Sequence, residues 1–232
     1  MNESQHLSSQ FDEELSNLRT QVLHMGGMVE TQVSAAMDAY HAQSVMDVSN
    51  IVFADKKINT LEKNIDDHCA HIIAKRQPTA SDLRLVLGIS KIVTDLERMG
   101  DEAKKMARGS RRIHEAGHLS IQYSIGIRHL ADAALNLVRQ ALDAFARLDA
   151  TQAQIVIRAD DEVDAAFAAI LRQLITHMME DPRTITACIE IISIARAIER
   201  IGDHAKNIVE QVVYVVEGRD IRHLDADEEE KH

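Results

Sequence analysis

Five residues, Glu97-Arg98-Met99-Gly100-Asp101, recur as Glu199-Arg200-Ile201-Gly202-Asp203. The copies agree at Glu, Arg, Gly and Asp, and again at Ala103-Lys104 and Ala205-Lys206. A carboxylate at position i of a helix and another at i+4 stand one turn apart on one face. A further pair with this spacing is Asp160 and Asp164, whose counterparts earlier in the chain are Asp55 and Asn59. Glu62 and Asp66 extend the earlier stripe. Clustered carboxylates repel and raise one another's pKa unless a cation neutralises them. Oxygen-only donors suit hard cations such as Mg²⁺, Ca²⁺, Mn²⁺ or ferric iron. The plain alternative is a solvated face, in which these acids pair with Arg98, Lys104, Arg200 or Lys206. Recurrence of the whole pattern favours a shared task.

These residues require long helices to position them. The first is expected over about residues 11–40, after a polar start over 1–10, and the second over 44–76. The pattern breaks at Gln77-Pro78-Thr79, because proline disfavours helical backbone in the residue before it. A third helix is expected over 80–109 with Thr79 or Ser81 as N-cap, followed by a linker over 110–118. The plan repeats with helices over about 119–148, 152–180 and 182–218, the last capped by Asp181 with Pro182 as its first residue. Met37-Asp38-Ala39-Tyr40 matches Leu142-Asp143-Ala144-Phe145, and Asp55 matches Asp160, both at an offset of 105. Pro78 matches Pro182 at 104, and Glu97 matches Glu199 at 102. A unit of roughly 100 residues is therefore duplicated. Short connections make consecutive helices antiparallel neighbours. The expected fold is all-α: two tandem three-helix bundles, six long helices, related by pseudo-two-fold symmetry. The bundles are placed at 7–113 and 117–218, with an acidic, disordered tail at 219–232.

On a helical wheel, the third helix turns Leu85, Ile89, Ile92, Val93, Leu96, Gly100, Ala103 and Ala107 to one side, with Glu97 and Asp101 roughly 100° and 140° away. In the sixth, Ile191, Ile194, Ala195, Ile198, Gly202, Ala205, Ile208 and Val209 form that face, with Glu199 and Asp203 at the same angles. The pairs are thus expected on an outer or edge surface. In the fifth helix Val156, Val163, Phe167, Ile170 and Leu174 form the core face. Gly100 and Gly202 fall on core faces, where glycine costs about 1 kcal/mol against alanine. Close helix approach beside the acids explains them.

Composition narrows the rest. Only 3% of the 232 residues are aromatic, none is Trp, and Pro occurs twice, as suits an all-helical chain. The net charge of −11 argues against a nucleic-acid partner. No apolar run reaches the ~18 residues of a membrane span, and no signal sequence opens the chain, so a cytoplasmic location is expected. Cys69 and Cys188 read as buried apolar residues. None of the 12 histidines has ligand spacing at the motifs; Glu-x-x-His occurs at Glu3–His6, Glu115–His118 and Glu229–His232, all away from them. A di-iron oxidase would need that pattern within paired helices. Gly26-Gly27 lacks the Lys and Ser/Thr of a phosphate loop. No catalytic residue is assigned.

The duplicated unit, the E-R-x-G-D pairs and the run Ala74-Lys75-Arg76-Gln77-Pro78-Thr79-Ala80-Ser81-Asp82-Leu83-Arg84 resemble the PhoU family of phosphate-transport regulators over residues 7–223. The resemblance implies two three-helix bundles with acidic motifs that in some members bind multinuclear metal clusters. The matching positions are Asp55 and Asn59, Glu97 and Asp101, Asp160 and Asp164, and Glu199 and Asp203. Asn59 departs from the pattern and leaves the first half one carboxylate short. The metal expected from the resemblance is Fe, Mn, Mg or Zn. It further implies a negative regulator of the phosphate-starvation response and of phosphate uptake, an adaptor between the phosphate ABC transporter, through its ATPase subunit, and a phosphate-sensing histidine kinase. Contact with the inner membrane would come only through those partners, and the expected assembly is a homodimer. The competing readings are a metal-dependent phosphohydrolase and a metal-free interaction scaffold.

Overall fold

The computed structural model describes residues 3–42, 46–115 and 121–222. Its six long helices are α1 (Glu3–Ala42), α2 (Met46–Arg76), α3 (Ala80–Glu115), α4 (Ile121–Arg147), α5 (Ala153–Glu180) and α6 (Ile185–Glu217). Two short 3-10 turns, Ala150–Gln152 and Pro182–Thr184, lead into α5 and α6. Among the described residues there is no strand, and no helix is long and apolar enough to cross a membrane.

The breaks have local causes. Gln77 takes the left-handed conformation (φ 48°) ahead of Pro78, and Leu148 does the same (φ 52°) at the end of α4. Asp149 and Asp181 each cap a turn, their carboxylates accepting from the backbone N–H of Thr151 and Arg183. Gly218, at φ 71°, closes α6 with its N–H donated to the Tyr214 carbonyl, as expected of glycine after a helix. At the start of α3 the Thr79 carbonyl accepts the Asp82 N–H at 3.1 Å, which puts Thr79 at the N-cap position.

Two bounds differ from expectation. α1 begins at Glu3, since no Gly or Pro interrupts the stretch before Phe11. α3 continues through Gly109 to Glu115. Gly109 is a packing residue: a Cβ there would stand 3.0 Å from Ile194 Cγ1 of α6. The rest of the expected linker, and the acidic run at 225–230, lie outside the described residues.

α1, α2 and α3 form one bundle and α4, α5 and α6 the other. They join through α3 on α6 and α1 on α4. Contacts of Arg84 with the Val215 carbonyl at one end and of Arg112 with Glu190 at the other make α3 and α6 antiparallel. Arg19 to the Ala146 carbonyl and Arg139 to Glu30 do the same for α1 and α4. Buried aliphatic side chains from all six helices form one continuous core. Each fully buried Leu, Ile or Val contributes about 1.5–3 kcal/mol over leaving it in water. Cys69 and Cys188 are free and buried within it.

Candidate functional site

The two acidic stripes face each other across helix pairs within each bundle, α2 with α3 and α5 with α6. In the second bundle Asp160 is only 2% exposed and Glu199 9%. Asp164 and Asp203 stand at the open edge. In the first bundle Asp55 is buried, while Asn59, Glu97 and Asp101 are half-buried. Of the four acids that the wheel places on an outer or edge surface, Glu97, Asp101 and Asp203 lie there, and Glu199 is buried instead. Each line of acids runs from the groove between two helices out to solvent. The single-face wheel misses a second packed side on α3 and α6: Met99 and Ile201 are fully buried, and Glu102 and His204 nearly so.

Glycine permits this closeness. A Cβ on Gly202 would stand 3.0 Å from Asp160 Oδ1, and one on Gly100 3.0 Å from Gln32 Oε1. Leucine at 137 fills the slot that Gln32 occupies in the other bundle; its Cδ1 is 3.5 Å from the same point on Gly202.

Electrostatics show which acids meet. Burial, then the Asp101 and Asp55 charges, raises the Glu97 carboxyl. Burial, then Glu97 and Asp66, raises Glu62. Across the second seam, Glu199 is raised by burial, Asp203 and Asp164, with Arg196 opposing. Asp203 is raised by burial and then Asp164. Asp160 is pushed up to about 6, by burial first, with Asp203 and Asp164 adding and Lys206 opposing. All four sequence-predicted acids of the second bundle thus share one field.

Cationic side chains already reach into both seams. Lys104 Nζ lies 2.5 Å from Asp101 Oδ1 and 2.7 Å from Asp55 Oδ2. Lys206 Nζ, one repeat later, lies 3.6 Å from Asp160 Oδ2. Arg196 donates to Glu199 at 2.7 Å, whereas Arg200 leaves the seam for Glu102 on α3 at 3.3 Å.

Several buried oxygens remain without a hydrogen-bond partner: Asp55 Oδ1 and Asn59 Oδ1 in the first seam, Asp160 Oδ1 and Glu199 Oε2 in the second. Such atoms cost about 1–3 kcal/mol each unless satisfied. Among the described residues, no three His, Cys, Asp or Glu side chains already converge as ligands of one ion. In donor type and unsatisfied oxygens, the residues nevertheless suit a hard cation. Asp55, Asn59, Glu97 and Asp101 would hold it in one bundle, and Asp160, Asp164, Glu199 and Asp203 in the other.

The bridge between the bundles was not anticipated. His204 Nδ1 and Asp95 Oδ1 are 2.8 Å apart, and Asn207 donates to the same oxygen at 3.1 Å. Glu102 meets both Lys105 and Arg200. Glu102 and His204 occupy the same repeat position, and that departure from the repeat is the signal in the sequence for a cross-bundle contact.

Asp160 sets a pH dependence. Its folded pKa lies above the ordinary carboxylate value, so the folded chain holds the proton to higher pH than the unfolded chain. Stability in chelator should fall as pH rises from about 4 to about 6, by at most about 3 kcal/mol. Urea unfolding at pH 5 and pH 7 checks this, and Asp160→Asn should flatten the difference.

A family model described as PhoU domain matches residues 22–109 and again 127–212, once in each bundle. The chain is 48% identical over 225 residues to a Pseudomonas putida protein named phosphate-specific transport system accessory protein PhoU homolog, covering 94% of this chain and 85% of that one. It is 45% identical over 231 residues to the Escherichia coli phosphate-specific transport system accessory protein PhoU, covering 100% and 95%. The crystal structure of PhoU from Pseudomonas aeruginosa superposes with a TM-score of 0.86 at 46% identity, over 90% of this chain and 100% of that one. That of the phosphate transport system regulatory protein PhoU from Streptococcus pneumoniae gives 0.84 at 27% identity, over 91% and 99%.

Proposed function

The chain belongs to the PhoU family, and from that membership we propose that it is an accessory regulator of phosphate transport that limits uptake and represses the phosphate-starvation response. It acts as an adaptor at the cytoplasmic side of the membrane, between the ATPase subunit of a phosphate ABC transporter and a sensor histidine kinase, without catalysis of its own. The observation that carries this reading is near-end-to-end similarity to phosphate-specific transport accessory proteins. Ile175 and Met179 near the end of α5 and Ile185 and Ile189 at the start of α6 are exposed, and exposed apolar side chains of this kind are what a docking partner covers.

The two seams serve as cation sites in this reading, Asp160, Asp164, Glu199 and Asp203 being the fuller set. A bound hard cation would neutralise the repulsion among these acids and satisfy their unpartnered oxygens. The Lys104 contacts support one alternative, a scaffold that neutralises its own seams and needs no metal.

Affinity capture of the tagged chain from its own cells, with ample phosphate and under starvation, tests the adaptor role. The transporter ATPase and the kinase should both co-purify in ample phosphate. Removing the gene should raise phosphate uptake there. Capture of neither partner, with uptake unchanged, would overturn the reading.

A further inference from the structure

Resting on the reading of the seams as cation sites, we propose that Lys104 and Lys206 are their built-in counter-cations, that a divalent ion enters by displacing the ammonium, and that the first seam is held shut by its lysine while the second is open to exchange.

The repeat itself points to this role. Each lysine stands three residues after the Asp of its motif, and each reaches the acid contributed by the neighbouring helix, Asp55 or Asp160. Helix-surface pairing with the motif alone would not require that second helix. An ammonium and a hard divalent ion compete for the same carboxylate oxygens and repel each other at that distance. They are alternatives for one position, and the long flexible lysine stem allows the exchange.

The seams differ in how firmly the lysine sits. Lys104 bridges two carboxylates at hydrogen-bond distance and is 18% exposed. Lys206 approaches one carboxylate, at 3.6 Å, and is 31% exposed. Asn59 stands in the first seam where Asp164 stands in the second, so the motif positions carry three acids in the first bundle and four in the second. Asp160 Oδ1 and Glu199 Oε2, both on residues at least nine-tenths buried, remain unpartnered while Lys206 is in place. Asp55 Oδ1 is unpartnered in the first seam too, so what sets the second lysine apart is its single, longer contact. The second seam therefore has the weaker competitor to displace.

Mn²⁺ is the probe, measured by calorimetry and by electron paramagnetic resonance on the full chain after treatment with chelator. Wild type should bind it in one tighter and one much weaker class of site. Lys206→Met should strengthen the tighter class about tenfold, and Lys104→Met should strengthen the weaker class by more than tenfold. Lys206→Arg, which retains the charge, should remain close to wild type. In chelator, Lys104→Met should lower the melting temperature, and Mn²⁺ should restore it. If Lys104→Met does not fold, Lys206→Met carries the test, because its lysine contributes less to the metal-free fold. Unchanged or weaker Mn²⁺ binding in the Lys→Met variants, with Asp160→Asn still abolishing the tighter class, would overturn the lysine role and leave the cation seams standing. An absence of Mn²⁺ binding in wild type and every variant would overturn both.

Discussion

The double variant Asp160→Asn with Glu199→Gln should bind Mn²⁺ at least about a hundredfold more weakly than wild type, yet be the more stable protein in chelator. Changes one shell out from a metal typically cost 10–100-fold in affinity, and these two residues are themselves assigned as donors. Both substitutions keep side-chain shape and remove charge. In the metal-free fold that charge is a burden. Burial raises Asp160 to about 6 and also raises Glu199, so ionised forms at pH 7 oppose folding. Neutralising Asp160 should therefore return up to about 3 kcal/mol at pH 7 in chelator. The two signs together are diagnostic. A purely structural role for the acids would lower stability when they are removed, and a solvated face would change neither quantity. Metal binding equal to wild type, or lost only together with helicity, would rule out Asp160 and Glu199 as donors.

Much of the fold was legible because helical periodicity records burial directly. Every residue expected on the core face of α6, from Ile191 to Val209, is buried, as is the whole expected set on α5. The duplication was legible through paired prolines and recurring motifs, and it carried the two-bundle architecture. The depth of the acids was not. A wheel drawn for one apolar side places Glu199 at an edge, whereas α6 packs against α4 and α5 on one side and α3 on another. That second contact buries Ile201 and His204 on one flank, whereas Glu199, on the opposite flank, is buried on the side of α5, where Asp164 lies. Glycine at 109 looks like a stop signal in sequence, and only the position of Ile194 shows that it is a point of approach. The lysines were visible merely as partners available on the surface. That each reaches a carboxylate on the neighbouring helix depends on how α2 and α5 lie, which periodicity does not encode.

The second large effect lies where the bundles join. Gly88→Leu should destabilise the chain by about 2 kcal/mol or more and lower its melting temperature by roughly 4–8 °C. A Cβ on Gly88 would already stand 2.5 Å from Val215 Cγ2, and Val215 is buried and stiff about χ1. Overpacking of this kind costs about 1–3 kcal/mol, and a full leucine falls at the upper end. Replacing glycine within a helix returns about 1 kcal/mol, which is not enough to offset it. Gly27→Ala is the matched control. Nothing lies within 4 Å of its Cβ position, so it should gain about 0.5–1 kcal/mol. Because each seam is built inside one bundle, Gly88→Leu should leave Mn²⁺ affinity essentially unchanged while loosening the contacts of Asp95 with His204 and of Glu102 with Arg200. Equal melting temperatures for the two glycine variants would mean that α3 does not press on α6 at Gly88. Loss of Mn²⁺ binding in a folded Gly88→Leu protein would mean that the junction of the bundles, and not each bundle alone, shapes the seams.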